Sequence, residues 1–450
     1  MQWLVLISGL IAVSFVANAF APRHGPRSVV PGFFASWLTI ELAGHWLVLV
    51  VIIGLLGATG VGGADIGDPV TLLGLILLGA AGIGLAVLAV EGWRARQQMT
   101  AALADLDVDP KTPLTIGGRF PRGHVVLPFL VQQRRGVRRV RDIVYTRVAG
   151  RELRLDLTLP AAAMPGERRP VVLQIHGGGW IIGYKRQQGQ PLLNHLATRG
   201  WIGVNIDYRL SPGATFPDHL VDCKRALAWI RGHIADFGGD ADTVCVTGGS
   251  AGGHLAALVG LTANQSRYQP GFEDVDTSVR AAVPFYGAYD MTNRLGTARP
   301  QSFRKLLEPL VIKAFLEDDP APFSAASPVD HVHPAAPPFL VLHGDRDVIT
   351  PVDDARLFVQ ALRDVSQQPV LYAELSGAQH AFDIFPSVRT AAAVEAVEQF
   401  LSAIWRRHQA AVGGELVGDF AAAVDLAATA LEPDEEVDEE PEDDITDLPA

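Results

Sequence analysis

A serine set between glycines is the first feature of the sequence that suggests chemistry. The motif Gly248-Gly249-Ser250-Ala251-Gly252-Gly253 follows a strand-like run that ends at Val246 and precedes a helix-like run. A sharp strand–turn–helix connection of this kind, a nucleophile elbow, exposes a serine hydroxyl to attack a carbonyl carbon. The tight turn needs residues without side chains on either side of the serine. We therefore predict Ser250 as a nucleophile, with Gly248 and Gly252 permitting the turn.

A second glycine run lies upstream of the serine, in His176-Gly177-Gly178-Gly179-Trp180 at the end of a strand-like run. Glycines let backbone N–H groups approach a substrate oxygen, and such donors stabilise the oxyanion that forms when a carbonyl is attacked. The candidate donors are N–H groups of this run and of the residue after the serine: Gly178 with Gly179, or Gly177 with Gly178, together with Ala251.

A serine nucleophile needs a histidine base that is held by a carboxylate, in the chain order Ser, then Asp or Glu, then His. His380 lies on a loop just beyond a strand-like run and is the predicted base. Two aspartates compete for the acid after the run Phe339 to Leu342. Asp347 fits a His-Gly-x-x-Asp arrangement, whereas Asp345 is better explained as a turn residue that bonds its own backbone. The predicted triad is Ser250, Asp347 and His380.

Strand-like and helix-like runs alternate between about residues 141 and 408 and must position these side chains. Short apolar strands separated by amphipathic helices indicate a mostly parallel sheet that is covered on both faces, and two antiparallel strands at its start suit an α/β-hydrolase fold. The predicted strands are 142–148, 151–159, 171–175, 202–208, 243–246, 279–286, 339–342 and 370–375. The predicted helices are 192–199, 218–237, 251–263, 353–365 and 387–407.

Together the motifs resemble those of the hormone-sensitive-lipase-like carboxylesterases, and most closely the membrane-associated lipases and esterases of actinobacteria. The resemblance also includes Asp207-Tyr208-Arg209-Leu210-Ser211-Pro212 and Phe216-Pro217, and it covers about Asp142 to Arg407. It implies acyl transfer from an ester to water through Ser250, without a metal or an organic cofactor. One departure is Gly249, where the commoner motif has Asp. This change puts in doubt any charge-based positioning of substrate beside the serine.

Other functions remain open on the sequence alone. A hydrolase of a different bond, such as an arylformamidase, a prenylcysteine methylesterase or a peptidase, shares the His-Gly-Gly motif and differs in pocket shape. A membrane scaffold without catalysis is a further alternative, against which the complete triad argues. The helix-like stretch Ser302 to Leu316 is predicted either as a lid over an acyl pocket or as a surface insertion.

The first 92 residues contain three apolar segments, Trp3 to Phe20, Trp37 to Gly57 and Val70 to Val90, each about long enough to span a bilayer. We predict three transmembrane helices. The alternative for the first segment is a signal peptide, although no basic residue precedes it. Within the second segment, Glu41 and His45 lie four residues apart and are interpreted as an interfacial pair rather than a proton-handling one.

Basic residues in the loops indicate orientation. Arginines follow the first and third segments, at positions 23, 27, 94 and 96, whereas Asp65 and Asp68 follow the second. The positive-inside rule therefore predicts a multi-pass membrane protein whose catalytic domain faces the cytoplasm. Its predicted partners are a small-molecule or lipid ester and the bilayer, and the sequence does not give the oligomeric state.

The remaining segments are read from their composition. Residues 93–140 form a proline-interrupted connector or lid, 141–408 the catalytic domain, and 409–450 an Ala-rich segment with an acidic, disordered tail. The net charge is −12, but the stretch from Glu432 to Asp447 carries eleven carboxylates and no basic residue. The arginines between 134 and 141 form one short cluster, which excludes a broad nucleic-acid-binding face. Cys223 and Cys245 are predicted as buried apolar residues rather than metal ligands or a disulfide.

Overall fold

The structure is a computed structural model that describes residues 2–22, 29–63, 65–106, 120–129, 135–296 and 306–412. Several sequence predictions lie outside these residues. They concern Arg23 and Arg27, much of the connector, the start of the candidate lid and the acidic tail.

An eight-stranded, mostly parallel sheet forms the centre of the fold, with strand order β1-β2-β4-β3-β5-β6-β7-β8. The first two strands are antiparallel, β2 also runs antiparallel to β4, and all later neighbours are parallel. Each strand overlaps a run that the sequence predicts. The strands are β1 (Val137–Val148), β2 (Arg151–Pro160), β3 (Arg169–Ile175), β4 (Ile202–Ile206), β5 (Gly239–Gly249), β6 (Ala282–Phe285), β7 (Phe339–Gly344) and β8 (Val370–Leu375).

Helices cover both faces of this sheet, so alternate residues of one strand enter two separate hydrophobic cores. In β3, Leu173 belongs to the core on one face and Val172 to the core on the other. Burial of both faces explains why the central strands are continuous apolar runs. After four N-terminal helices, α1 to α4, the helices are α5 (Arg122–Val126), α6 (Gln190–Thr198), α7 (Asp218–His233), α8 (Ala251–Leu261), α9 (Ala321–Ala325), α10 (Val352–Val365) and α11 (Val388–Ala411).

The N-terminal helices are α1 (Gln2–Phe20), α2 (Val29–Glu41), α3 (Ala43–Ala58) and α4 (Pro69–Ala102). Helices α1 and α4 are each long and apolar enough to cross a membrane. The second apolar segment does not form the single straight helix that was predicted. It is divided between α2 and α3, which meet at an angle of 83°. The described residues thus hold two candidate spans, or three if the bent pair counts as one.

The break between α2 and α3 coincides with a buried ion pair that joins them to the sheet domain. Arg389 of α11 donates to Glu41 over 3.1 Å, and both side chains are only 1% exposed. The hydroxyl of Ser387 donates to the same carboxylate over 2.7 Å. A buried carboxylate is stable only with such partners, and they hold α2 against the sheet domain. His45 does not pair with Glu41: its Nε2 lies 2.9 Å from the carbonyl oxygen of Val126.

A second ion pair attaches α4 near the loop after β7. Arg346 donates to both carboxylate oxygens of Glu91, over 2.9 and 3.0 Å. Farther along α4, Ala95 and Met99 are fully buried in one of the two hydrophobic cores. The N-terminal helices therefore pack as an integral part of the domain.

We expect Arg389→Met to lower the free energy of unfolding by about 3–5 kcal/mol, because it leaves the Glu41 carboxylate buried without its cation. Arg356→Met is the matched control. Arg356 also pairs with carboxylates, but its side chain is 49% exposed, so the expected loss is below about 1 kcal/mol. Unfolding of both variants in the same detergent measures the difference, and equal losses would contradict the assignment of a structural role to the Glu41 pair.

Candidate active site

The candidate nucleophile lies on a strained turn between β5 and α8. Ser250 has φ 59° and ψ −122°, a backbone conformation that residues other than glycine rarely adopt. The turn is tightly enclosed by neighbouring backbone. A Cβ atom on Gly248 would lie 2.5 Å from the carbonyl oxygen of Gly252, and one on Gly252 would lie 2.1 Å from that of Ile175. Both positions therefore require glycine, and the turn presents Ser250 at the carboxyl end of the central strands.

The glycine run after β3 lies beside this turn. A Cβ atom on Gly177 would be 3.0 Å from the Cβ atom of Ser250. The N–H of Gly177 already donates to the side-chain oxygen of Gln188 over 2.7 Å. Among the hydrogen bonds of the described residues, none uses the N–H groups of Gly178, Gly179 or Ala251 as donors. These three groups are available to a substrate oxygen, whereas that of Gly177 is occupied.

The candidate base and acid contact each other directly. Nδ1 of His380 lies 2.6 Å from Oδ2 of Asp347. The other carboxylate oxygen accepts the N–H groups of Ile349 and Thr350, each over 2.8 Å. The hydroxyl of Thr350 donates to Oδ2 over 2.9 Å. The carboxylate is thereby fixed in one orientation. Its contact with Nδ1 in turn orients the imidazole ring of His380.

The charge on Asp347 is favoured despite complete burial. Burial alone raises the pKa of this carboxyl, but the charge and hydrogen bond of His380, together with a hydrogen bond from His343, hold the pKa well below its usual range. Asp345 has a different environment: its Oδ1 accepts the N–H of Gly377 over 2.7 Å. Of the two competing aspartates, Asp347 is therefore the one in contact with His380, and Asp345 supports the neighbouring turn.

Tyr286, at the end of β6, occupies the space beside Gly249. A Cβ atom on Gly249 would lie 2.6 Å from the Tyr286 hydroxyl and 3.0 Å from its ring. The hydroxyl donates to the carboxylate of Asp383, and the ring centroid is 4.6 Å from that of His380. The absence of an aspartate at position 249 thus has a steric explanation. Nothing in the sequence indicated a role for Tyr286 except its position at the end of a predicted strand.

The structure also places His254 and the candidate lid. His254 lies one turn after the serine, where Nδ1 accepts from the Trp180 indole over 3.2 Å and Nε2 lies 2.7 Å from the carbonyl oxygen of Ala326. It is packed between these groups and does not face Asp347. In the described part of the candidate lid, Leu306 lies within 3.7 Å of a Cβ atom built on Gly179. This segment therefore borders the glycine run.

Comparison with known proteins identifies the family. The chain is 41% identical over 415 residues to the probable carboxylic ester hydrolase LipM of Mycobacterium tuberculosis, covering 90% of this chain and 94% of LipM. The chain belongs to the hormone-sensitive-lipase-like carboxylic ester hydrolases. Esterase LipQ of the same organism is 47% identical over 283 residues, covering 63% of this chain and 66% of LipQ. The predicted esterase activity is thus confirmed.

A family model and a solved structure also match the hydrolase domain of the esterase. The family model BD-FAE matches residues 155–362. The structure of Thermogutta terrifontis esterase 2 phosphonylated by sarin superposes with a TM-score of 0.52 and 26% identity, covering 58% of this chain and 94% of that protein. The predicted α/β-hydrolase fold is confirmed. Within the described residues of the esterase, no group of three or more His, Cys, Asp or Glu side chains is placed to hold a metal ion.

Proposed function

We propose that the esterase cleaves carboxylic esters with Ser250 as nucleophile, His380 as base and Asp347 as the acid that orients it. The 2.6 Å contact between Asp347 and Nδ1 of His380 carries the proposal, since it leaves Nε2 as the basic nitrogen. The positive φ of Ser250 on its glycine-flanked turn supports the nucleophile. The sarin adduct of the Thermogutta relative supports it too, since phosphonylation requires a nucleophile.

The reaction has two acyl transfers. The Ser250 oxygen attacks the ester carbonyl while Nε2 of His380 takes its proton, and the N–H groups of Gly178, Gly179 and Ala251 stabilise the oxyanion. The intermediate collapses as His380 returns the proton to the departing alcohol, leaving an acyl ester on Ser250. Water, deprotonated by the same histidine, then releases the carboxylic acid and restores the serine. Gly177 supports this oxyanion hole from within the run, since its N–H holds Gln188.

We expect Ser250→Ala to abolish ester hydrolysis and labelling by a fluorophosphonate while the protein remains folded, because only the attacking oxygen is removed. Ser266→Ala, at an exposed serine, is the matched control and should keep both activities. Turnover of short- and long-chain acyl esters, formamides and peptides by the unaltered enzyme identifies the bond that is preferred. Normal ester turnover by folded Ser250→Ala enzyme would end the assignment of the nucleophile.

Asp347→Asn is expected to lower kcat by about a thousandfold or more, because the amide no longer stabilises the imidazolium or fixes its tautomer. Asp345→Asn is the control, since its carboxylate bonds the N–H of Gly377 in the loop after β8, and it should retain most of the activity. Kinetics of both purified variants on one ester decide the matter, and the reverse order of loss would make Asp345 the acid.

We also propose that residues 1–92 anchor the esterase in a membrane as a multi-pass region, with the catalytic domain of residues 141–408 in the cytoplasm. The length and apolar composition of α1 and α4 support membrane spans. The arginines after α1 and near the end of α4, with aspartates between α3 and α4, support the orientation. A lipid ester in the bilayer is a suitable substrate for an enzyme held in this way.

We expect the protein to stay with membranes after a carbonate wash, because burial of apolar spans does not depend on salt or charge. An alkaline-phosphatase fusion after residue 62, between α3 and α4, should be active, and one after residue 100 should be inactive, because the reporter works only outside the cytoplasm. Activity of the second fusion would place the catalytic domain on the outer side and contradict the orientation.

A further inference from the structure

We propose that Gln379 and Ser36 are positioning residues of the active site. Through them the N-terminal helix α2 holds the segment that carries His380 against Asp347. The proposal rests on the triad proposed above and adds the N-terminal region to the apparatus that keeps it aligned.

The side chain of Gln379 ties the acid loop to the base loop. It is fully buried, and its amide oxygen accepts the N–H of Val348 over 2.9 Å and the N–H of His380 over 3.0 Å. Val348 directly follows Asp347 in the chain. One oxygen atom therefore bonds to the backbone next to the acid and to the backbone of the base itself.

The other end of the same amide reaches α2. Its nitrogen donates to the hydroxyl of Ser36 over 2.9 Å, and that hydroxyl donates to the carbonyl oxygen of Phe33 over 3.0 Å. These contacts determine which way the amide points. With its NH2 group turned to the two backbone N–H groups, three donors would face one another, so Ser36 and the backbone together select a single orientation.

A second contact from α2 holds the residue after the base. The indole N–H of Trp37 donates to the carbonyl oxygen of Ala381 over 2.9 Å, and the ring of Phe33 lies edge-on to the His380 imidazole at 6.2 Å. Helix α2 thus bonds to the residues on both sides of His380. Each of these two hydrogen bonds joins residues that are more than 340 positions apart in the chain.

The arrangement affects catalysis because proton transfer depends on the position of the imidazole. A misplacement of about 1 Å costs roughly a hundredfold in rate. Without the amide oxygen, the N–H groups of Val348 and His380 are buried without an acceptor, and both loops must shift to find one. Gln379 therefore acts on the reaction through His380 and Asp347 and has no contact of its own with the ester in this scheme.

The test uses the full-length enzyme in detergent. Gln379→Met keeps the size of the side chain and removes its hydrogen bonds, and we expect kcat to fall about tenfold to a hundredfold with KM within about twofold. The rate of phosphonylation of Ser250 by a fluorophosphonate should fall by a similar factor, because that reaction needs the same base. Gln379→Glu retains an acceptor for both N–H groups and should keep more of kcat than Gln379→Met.

Ser36→Ala removes the bond between Gln379 and α2 but keeps that of Trp37 to Ala381, and it should lower kcat by about threefold to tenfold. Ser14→Ala is the matched control, since the Ser14 hydroxyl donates within α1 to the Leu10 carbonyl, and it should leave kcat unchanged. An unchanged kcat in folded Gln379→Met enzyme, or a rise in KM alone, would overturn the proposal. Labelling of Ser250 and the loss in Asp347→Asn would stand in that case, so failure here is distinct from failure of the triad.

Discussion

The close approach of three backbone segments at Ser250 is the constraint on which the rest of the site depends. The end of β3, the end of β5 and the start of α8 meet with no room for a Cβ atom at Gly248 or Gly252. The same approach places the glycine run beside the serine, so one packing requirement sets both the proposed nucleophile and the backbone N–H groups beside it. All other groups of the site must be brought to this fixed point.

The proposed acid and base lie at the same edge of the sheet, on the loops that follow β7 and β8, two and three strands away from β5. Such loops have fewer constraints of their own. Here buried polar contacts fix them: Thr350 and backbone N–H groups hold Asp347, and Gln379 joins the two loops. A buried polar network of this kind specifies one arrangement only when every member is satisfied. In this fold the last partner, Ser36, comes from the N-terminal helices.

Local patterns predicted the strands and the turn at Ser250, because apolar runs, glycines and their order in the chain record those features. The sequence also favoured Asp347 over Asp345, but on the expectation that Asp345 bonds its own backbone, whereas its carboxylate accepts the N–H of Gly377, 32 residues away. The break in the helix after Glu41 was not predictable, because Arg389, which pairs with Glu41, lies 348 residues away in the chain. The roles of Gln379 and Tyr286 were not predicted for the same reason. They arise from tertiary contacts, and neither residue type indicates chemistry by itself.

The ion pairs of Glu41 and Glu91 with arginines of the hydrolase domain have consequences for the evolution of the protein and for its truncation in the laboratory. Removal of the first hundred residues would take Glu41 away from Arg389 and would open the core that Ala95 and Met99 fill. The N-terminal helices and the hydrolase domain are therefore not interchangeable modules. These helices cannot be exchanged for unrelated ones, nor removed by proteolysis, without disturbing the folded hydrolase domain, and the two parts are expected to change together in evolution.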